Sequence, residues 1–182
     1  MEHDWIKIAA LPLVGIAAAS PVFAAEYMTV EQAQKIMFGK SAHFERADLS
    51  LDGAARNAIK VASKVQVERD VLPVWKVFRD GEPSGYFVVD EVIGKHQFIT
   101  YAIALDKDGT VLQIEILVYR ESYGYEIRNP AWRAQFKGRK PGKVFGLGDE
   151  IKNISGATLS CRHITEGVNR VLATYDLLLR DH

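Results

Sequence analysis

The sequence predicts an α+β domain in which an antiparallel sheet packs against a long C-terminal helix. Between Val65 and Tyr119 the chain is rich in β-branched and aromatic residues, with partial alternation of apolar and polar side chains, as in strands. From Ile164 to Leu179 apolar residues recur every three or four positions, as on the buried face of a helix. Shorter helical segments lie before the strands and between the strands and the long helix, which completes the α+β pattern.

The short helices are predicted from their capping signals. Residues 29–32, Thr-Val-Glu-Gln, have the spacing of a capping box, so a first helix should begin there and end at Gly39. A second helix is expected from Gly53 to about Ser63, where small and aliphatic residues recur at helical spacing. Asn129 followed by Pro130 is typical of a helix start, and this third helix should end at Gly138.

Four or five strands are expected in the middle of the chain. They are assigned to the segments VQVERDVLPVWKVF (65–78), SGYFVVDEVIG (84–94), FITYAIAL (98–105) and VLQIEILVYR (111–120). The last two should form a hairpin, because residues 106–110, Asp-Lys-Asp-Gly-Thr, are a turn cluster whose Gly109 can adopt positive φ.

The composition excludes several classes of protein. Of 182 residues, 48% are hydrophobic, and 23 Lys+Arg balance 23 Asp+Glu. This balance is untypical of disordered tails and of basic nucleic-acid modules, so no nucleic-acid partner is expected. The single cysteine, Cys161, cannot form an intramolecular disulfide or a Cys-rich metal site, and is expected to be buried. The histidines lack metal-site spacing, so no metal is expected.

The N-terminus is predicted to be an export signal. Residues 8–19 form an uncharged stretch of 12, and a helix of that length spans about 18 Å against a hydrocarbon core of about 30 Å. Small residues at Val22 and Ala24 place cleavage after Ala24. Residues 1–24 would then be a signal peptide, and residues 25–182 one extracytoplasmic, periplasmic domain. Glu2 and Asp4 are unusual in a signal peptide, so an uncleaved anchor that keeps the protein at the membrane stays open.

The segment that directs attention to function is Ser155-Gly156-Ala157-Thr158, followed by Leu159 and Ser160, immediately before the terminal helix. The N-terminus of a helix presents unpaired N–H groups and the positive end of the helix dipole, which favour a phosphate. Ser and Thr are also common N-caps, so the residues alone leave both a phosphate site and a structural cap open.

This motif resembles that of the FMN-binding domain family, found in the G and C subunits of the Rnf and Nqr electron-transport complexes. The family's mark is Ser/Thr-Gly-Ala-Thr at the start of a C-terminal helix, and its final Thr carries FMN through a phosphoester made by a flavin transferase. The resemblance continues upstream, where Glu121-Ser122-Tyr123-Gly124-Tyr125 stands in place of the family's segment beside the flavin. A Trp-containing helix follows in both.

The resemblance implies FMN as the cofactor and Thr158 as its attachment residue. The remaining residues expected to bind FMN belong to the motif, to the upstream segment or to the aromatic walls of the ring: Ser155, Gly156, Ala157, Ser160, Glu121, Ser122, Gly124, Tyr125, Tyr119, Tyr123 and Trp132. No catalytic residue is assigned. At Lys152 the family usually has Asp, so covalent and non-covalent FMN both stay open, with Asp149 as an alternative acid.

The expected function is that of an exported electron-transfer protein that relays electrons to or from a membrane complex or a cytochrome. A redox carrier or an oxidoreductase subunit is favoured over a stand-alone enzyme, because FMN supplies the redox chemistry while the protein holds and tunes it. Two alternatives stay open: an enzyme of the flavin reductase kind with non-covalent FMN, and a flavin-free binding module on the same fold.

Overall fold

The computed structural model describes residues 25–180, so the predicted signal peptide lies outside the described residues. In chain order the elements are β1 (Ala25–Glu26), α1 (Val30–Phe38), β2 (His43–Arg46), β3 (Leu49–Ser50), α2 (Gly53–Ser63), β4 (Val71–Leu72), β5 (Val74–Arg79), β6 (Glu82–Ile93), β7 (Phe98–Asp106), β8 (Val111–Tyr119), α3 (Pro130–Arg133) and α4 (Thr158–Thr174). Short 3-10 turns at Tyr125–Arg128 and Ala134–Phe136 flank α3, and a π turn, Tyr175–Leu179, continues α4. The predicted α+β class is confirmed.

The main sheet has six strands in the order β1-β8-β7-β6-β5-β2, with every neighbouring pair antiparallel. The predicted hairpin joins β7 to β8, with Leu105 opposite Val111 and Ile99 opposite Tyr119. Its turn contains Gly109 at φ +77°, the conformation that the turn cluster predicts. Strands β3 and β4 form a separate two-stranded sheet.

Helices cover both faces of the main sheet. On one face α4 and α2 pack against an apolar cluster that includes Val88, Tyr101 and Ile103. On the other face α1 contributes Ala33, Met37 and Phe38 to a smaller cluster with β5, β6, β7 and β8. A strand buried on both faces needs apolar residues at successive positions, which explains why five consecutive residues of β7 are buried.

The predicted starts of α1, α2 and α3 agree with the structure, but the third helix, expected to end at Gly138, instead ends at Arg133, where the 3-10 turn Ala134–Phe136 follows. Thr29 and Gln32 form the capping box of α1: the Gln32 N–H donates to Thr29 Oγ1 at 3.2 Å, and the Thr29 N–H donates to Gln32 Oε1 at 2.8 Å. Helix α2 spans Gly53–Ser63, as its sequence pattern predicts. At α3 the Asn129 side chain caps the helix and Pro130 is its first residue.

The prediction of strand structure from Val65 is wrong for residues 65–70. These residues alternate between half-buried and exposed, but strand structure begins only at Val71. Their alternation arises because the segment runs along α4, where Arg170 Nη1 donates to Gln66 O at 3.3 Å. Alternating burial on a helix surface therefore imitates the pattern of a strand.

None of the helices in residues 25–180 combines the length and the apolar character needed to cross a membrane.

Candidate functional site

A cavity of about 330 Å³ opens at one end of the main sheet, where the β6–β7 turn, the segment after β8 and the start of α4 meet. Its lining residues are Lys95, His96, Glu121, Ser122, Tyr123, Gly156, Ala157, Thr158, Leu159 and Ser160. The three segments meet because β7 pairs with both β6 and β8, so the turn before β7 lies beside the residues that follow β8.

Helix α4 begins without a hydroxyl cap. Its N-cap is Ala157, which makes no side-chain capping bond, and Thr158 is the first helical residue. The interpretation of the motif as a Ser or Thr cap is therefore wrong. Thr158 is exposed at the cavity, and its Oγ1 accepts a hydrogen bond from Asn153 Nδ2 at 3.0 Å. Gly156 has φ +86°, so this position favours glycine.

The Tyr119 hydroxyl fixes the position of the segment that follows β8. It donates to Tyr123 O at 2.5 Å and lies 3.3 Å from Ser160 Oγ, which links this segment to α4. Burial raises the pKa of the Tyr119 phenol, so it stays protonated and able to donate at neutral pH. A Cβ on Gly124, whose φ is +88°, would lie 2.7 Å from the Tyr119 hydroxyl, which leaves no room for a side chain there.

Glu121 binds the backbone of the β6–β7 turn. Its Oε1 accepts hydrogen bonds from the N–H of His96 at 2.5 Å and of Gln97 at 2.9 Å. Burial alone would raise the pKa of the Glu121 carboxyl, but the hydrogen bonds from these backbone N–H groups outweigh it and lower the pKa below its ordinary value. The carboxylate is therefore ionised at neutral pH and fixed in position.

The structure brings most of the predicted site residues together. Seven of them line the cavity: Glu121, Ser122, Tyr123, Gly156, Ala157, Thr158 and Ser160. Ser155, Gly124, Tyr125, Tyr119 and Trp132 are outside its lining.

The predicted residues outside the lining have distinct surroundings. Tyr125 is 60% exposed at the start of the 3-10 turn that follows. Trp132 is buried, packs edge-on against Phe136, and donates from Nε1 to Lys152 O at 2.8 Å. Its ring is therefore part of the core beneath the motif loop.

Three residues that line the cavity were not predicted from the sequence: Lys95, His96 and Leu159. Lys95 and His96 lie in the turn between β6 and β7, 25 residues or more before Glu121. The predicted pairing of β7 with β8 contained the necessary signal, since it places the start of β7 beside the end of β8. Leu159 is 39% exposed and follows Thr158 on the first turn of α4.

Lys152, where the family usually has Asp, is exposed and outside the cavity lining. Its backbone is held from both sides, because its N–H donates to Gln135 Oε1 at 2.8 Å and its carbonyl accepts from Trp132. Asp149, the alternative acid, is also outside the lining. The side chain that is hydrogen-bonded to the Thr158 hydroxyl is that of Asn153, and neither Lys152 nor Asp149 takes this place.

Cys161 and His163 lie two residues apart on α4 and therefore point in different directions. Cys161 is buried in the core and is a free thiol, whose pKa burial raises. His163 Nδ1 lies 2.5 Å from Ile93 O. Within residues 25–180, no group of three or more His, Cys, Asp or Glu side chains is arranged to hold a metal ion.

Residues 94–173 match the family model described as the FMN-binding domain. The G subunit of the Na⁺-translocating ferredoxin:NAD⁺ oxidoreductase complex from Acetobacterium woodii is 25% identical over 188 residues, which covers 95% of this chain and 86% of that protein. The crystal structure of NqrC from Shewanella oneidensis shares the fold, with a TM-score of 0.52, 20% sequence identity, and coverage of 78% of this chain and 84% of that one. The resemblance to the FMN-binding domain family is therefore confirmed, and the match includes every residue that lines the cavity.

Proposed function

We propose that this protein is an exported FMN-binding electron-transfer protein, in which the FMN phosphate is esterified to Thr158 Oγ1. The observation that carries the proposal is the position of this hydroxyl: it is exposed at the mouth of a cavity, on the first residue of α4, in the motif that the matched family shares. A Thr that only capped the helix would bond the helix backbone, and Thr158 does not.

The cavity residues fit the chemistry of FMN. A volume of about 330 Å³ lies within the range of ligand pockets, roughly 300–1,000 Å³. One side offers the backbone of Gly156 and Ala157 at the start of α4, suited to a phosphate, and another offers Tyr123, suited to a flat ring. When bound, FMN supplies a ring that accepts and releases electrons, and the protein binds, orients and partly shields it.

Attachment would replace the Thr158 O–H bond by an O–P bond to the FMN phosphate. The hydroxyl proton passes to a base or to water, and the phosphoanhydride bond that joins the FMN phosphate to a second phosphate group breaks, so that this second group leaves as a phosphate monoester. Net condensation of free FMN with an alcohol is unfavourable in water, so a flavin transferase must supply a flavin nucleotide whose phosphate is already activated. Asn153 would orient the hydroxyl for this step, because it donates to Oγ1 and leaves the oxygen a further lone pair.

The partner is proposed from the relatives. The Acetobacterium woodii protein is by its name a subunit of an oxidoreductase complex that connects ferredoxin and NAD⁺. By this similarity, the present protein would exchange electrons with a membrane complex or an exported cytochrome. Tyr123 and Leu159, which are exposed by 83% and 39%, would lie at the edge from which a partner reaches the flavin.

Co-expression with a flavin transferase tests the attachment. The purified protein should gain the mass of FMN minus water, and its flavin fluorescence should survive denaturing gel electrophoresis. Thr158→Ala should abolish both. Ser155→Ala is the matched control, because it removes the other exposed hydroxyl of the motif and should leave both signals intact. Covalent flavin in the Thr158→Ala protein would show that the attachment residue is wrong.

Non-covalent FMN is the second candidate, favoured by Lys152 at the position where the family usually has Asp. In that case the protein would be yellow when native but would lose its flavin on denaturation, and a flavin reductase activity would be detected as turnover with a reduced nicotinamide. A colourless protein after co-expression would instead favour a flavin-free binding module.

Export is proposed for residues 1–24. Fractionation of the producing cells should place the protein outside the cytoplasm, with an N-terminus that begins at residue 25. If the full-length chain is instead recovered from the membrane fraction, residues 1–24 are an uncleaved anchor and not a cleaved signal peptide.

A further inference from the structure

The β6–β7 turn, residues 94–97, is held to the rest of the domain from both sides. Within the turn, the Gly94 N–H donates to Gln97 O at 2.7 Å. On its N–H side, Glu121 Oε1 accepts from His96 and Gln97. On its C=O side, His163 Nδ1 of α4 lies 2.5 Å from Ile93 O and 3.2 Å from Gly94 O. A four-residue turn with these anchors has a defined position.

Gly94 shows how closely Glu121 and the turn approach each other. A Cβ at Gly94 would lie 2.6 Å from Glu121 Oε1, 3.0 Å from Glu121 Cγ and 3.2 Å from Gln97 O. The carboxylate therefore occupies the space that a side chain would take, and any side chain at Gly94 would push it away from the N–H groups that it binds.

The turn carries a positive charge to the cavity. Lys95 is exposed and is the one lysine or arginine among the residues that line the cavity. No described carboxylate forms an ion pair with Lys95, and the Glu121 oxygen beside it is engaged by backbone N–H groups. The lysine ammonium is thus available to a ligand, and an ammonium is suited to phosphate.

We propose that Lys95 binds the phosphate of FMN and that Glu121 is a positioning residue, which acts on the cofactor by holding the β6–β7 turn and with it Lys95. This inference rests on the proposed function, since it assumes that the cavity takes FMN. It assigns Glu121 a role through the turn instead of a contact with the flavin ring or ribityl chain.

The direction in which FMN affinity changes when Glu121 is removed distinguishes this positioning role from a purely electrostatic effect of its charge. Glu121 is an anion beside a cavity for an anionic ligand, so its removal should strengthen FMN binding if its charge is all that matters. If Glu121 holds Lys95 in place, its removal should weaken FMN binding. Riboflavin lacks the phosphate, so its affinity for the protein should not depend on Lys95 in either case.

The experiment is a fluorescence titration of the full chain, produced without a flavin transferase, with FMN and with riboflavin as separate probes. Lys95→Gln should weaken FMN binding about tenfold and change riboflavin binding less than about twofold, as expected for one charge-assisted contact at an exposed site. Glu121→Ala should reproduce this selective loss at about five- to tenfold, and Glu121→Gln, which keeps the acceptor oxygen, should restore most of it.

Two controls complete the design. Gly94→Ala displaces the carboxylate without removing it and should show the same selective loss of FMN. Glu126→Gln removes an equal charge from an exposed residue nearby that does not bind the turn, and should leave FMN binding unchanged or slightly stronger. Thermal unfolding of each variant shows whether it is folded. If Glu121→Ala is unfolded, Gly94→Ala provides the test of the role of Glu121 in its place.

The outcomes separate the inference from the proposed function. If the wild-type chain binds FMN, but Lys95→Gln and Gly94→Ala keep its preference for FMN over riboflavin, the inference is wrong and the FMN site stands. Equal or tighter FMN binding by Glu121→Ala would likewise overturn the role of Glu121. If the wild-type chain binds neither probe, the inference is overturned, and the proposed function is then decided by the mass gain after co-expression with a flavin transferase.

Discussion

Replacing Arg170 by Met should strongly destabilise the fold while leaving the cavity intact. Asp90 is fully buried on β6, and its Oδ2 accepts from Arg170 Nη2 at 2.5 Å and from the Tyr101 hydroxyl at 2.8 Å. Arg69 Nη1 is the other cation, at 3.5 Å from Oδ1. Burial alone would lower the pKa of Arg170, but attraction to Asp90 outweighs it and raises the pKa, so Arg170 is charged at any pH near neutral.

The magnitude follows from the burial of the two partners. Removing one partner of a buried ion pair typically costs about 3–5 kcal/mol, because the other charge stays buried without compensation. The Arg170 side chain is 15% exposed and Arg69 remains near Asp90, so the lower end applies, about 3 kcal/mol. For a chain of this length that corresponds to a fall in Tm of roughly 6–12 °C.

Denaturant and thermal unfolding of Arg170→Met, of Asp90→Asn and of the double variant would measure this cost. Arg170→Met should lose about 3 kcal/mol, whereas Asp90→Asn with Arg170→Met should lose less than that single variant, because the double variant buries no unpaired charge. A double variant that loses as much stability as Arg170→Met or more would refute the reasoning, since it would mean that packing of the Arg170 stem, and not charge compensation, accounts for the loss.

Three further predictions concern α4 and the cavity. Gly167→Ala should cost about 1–3 kcal/mol in unfolding measurements, because the new Cβ would overlap the Tyr101 hydroxyl, while Gly53→Ala, which meets open space at the start of α2, should be neutral or slightly stabilising. Cys161 should resist Ellman's reagent until the protein unfolds, because burial raises the pKa of its thiol; rapid reaction of the native protein would contradict its placement. The pKa of Glu121 is lowered on folding, so the stability it adds is present above its unfolded pKa, about 4.3, and is lost as pH falls below that value. The stability of Glu121→Gln should accordingly depend less on pH than that of the wild type as the pH falls below about 4.3.

The sequence predicts the secondary structure well where local signals and burial agree. The capping box at Thr29, the Asn129-Pro130 start and the 106–110 turn are all local, and the structure contains each of them. The strand prediction fails at residues 65–70 because alternation of apolar and polar residues indicates only which side chains are buried. An extended segment that lies against a helix can show the same alternation as a strand. Only strand pairing, which is not local, distinguishes the two.

The candidate site was predictable only in part, for a similar reason. The motif at residues 155–158 and the segment after β8 are contiguous in sequence and could be identified by their resemblance to a family. The β6–β7 turn has no motif, and its place at the cavity depends on the register of β7 against two neighbours. The position of Glu121 in the family's segment predicts a contact with the flavin, but the His96 and Gln97 N–H groups that it binds belong to a turn distant in sequence, which no motif identifies.

Helix α4 connects the stable core to the site and explains why the two can be perturbed separately. Thr158 begins the helix at the cavity. The ion pair of Arg170 with Asp90 and the close approach of Gly167 to Tyr101 hold the later turns of the helix against the sheet. Substitutions at these later positions should therefore lower stability without changing the preference of the folded protein for FMN. Substitutions at Lys95 should do the reverse, because its exposed side chain contributes little to the core and its charge matters only when an anion is present. A Lys95→Gln protein that lost several kcal/mol of stability would show that the turn belongs to the folding core, and the separation of stability from cofactor selectivity would fail.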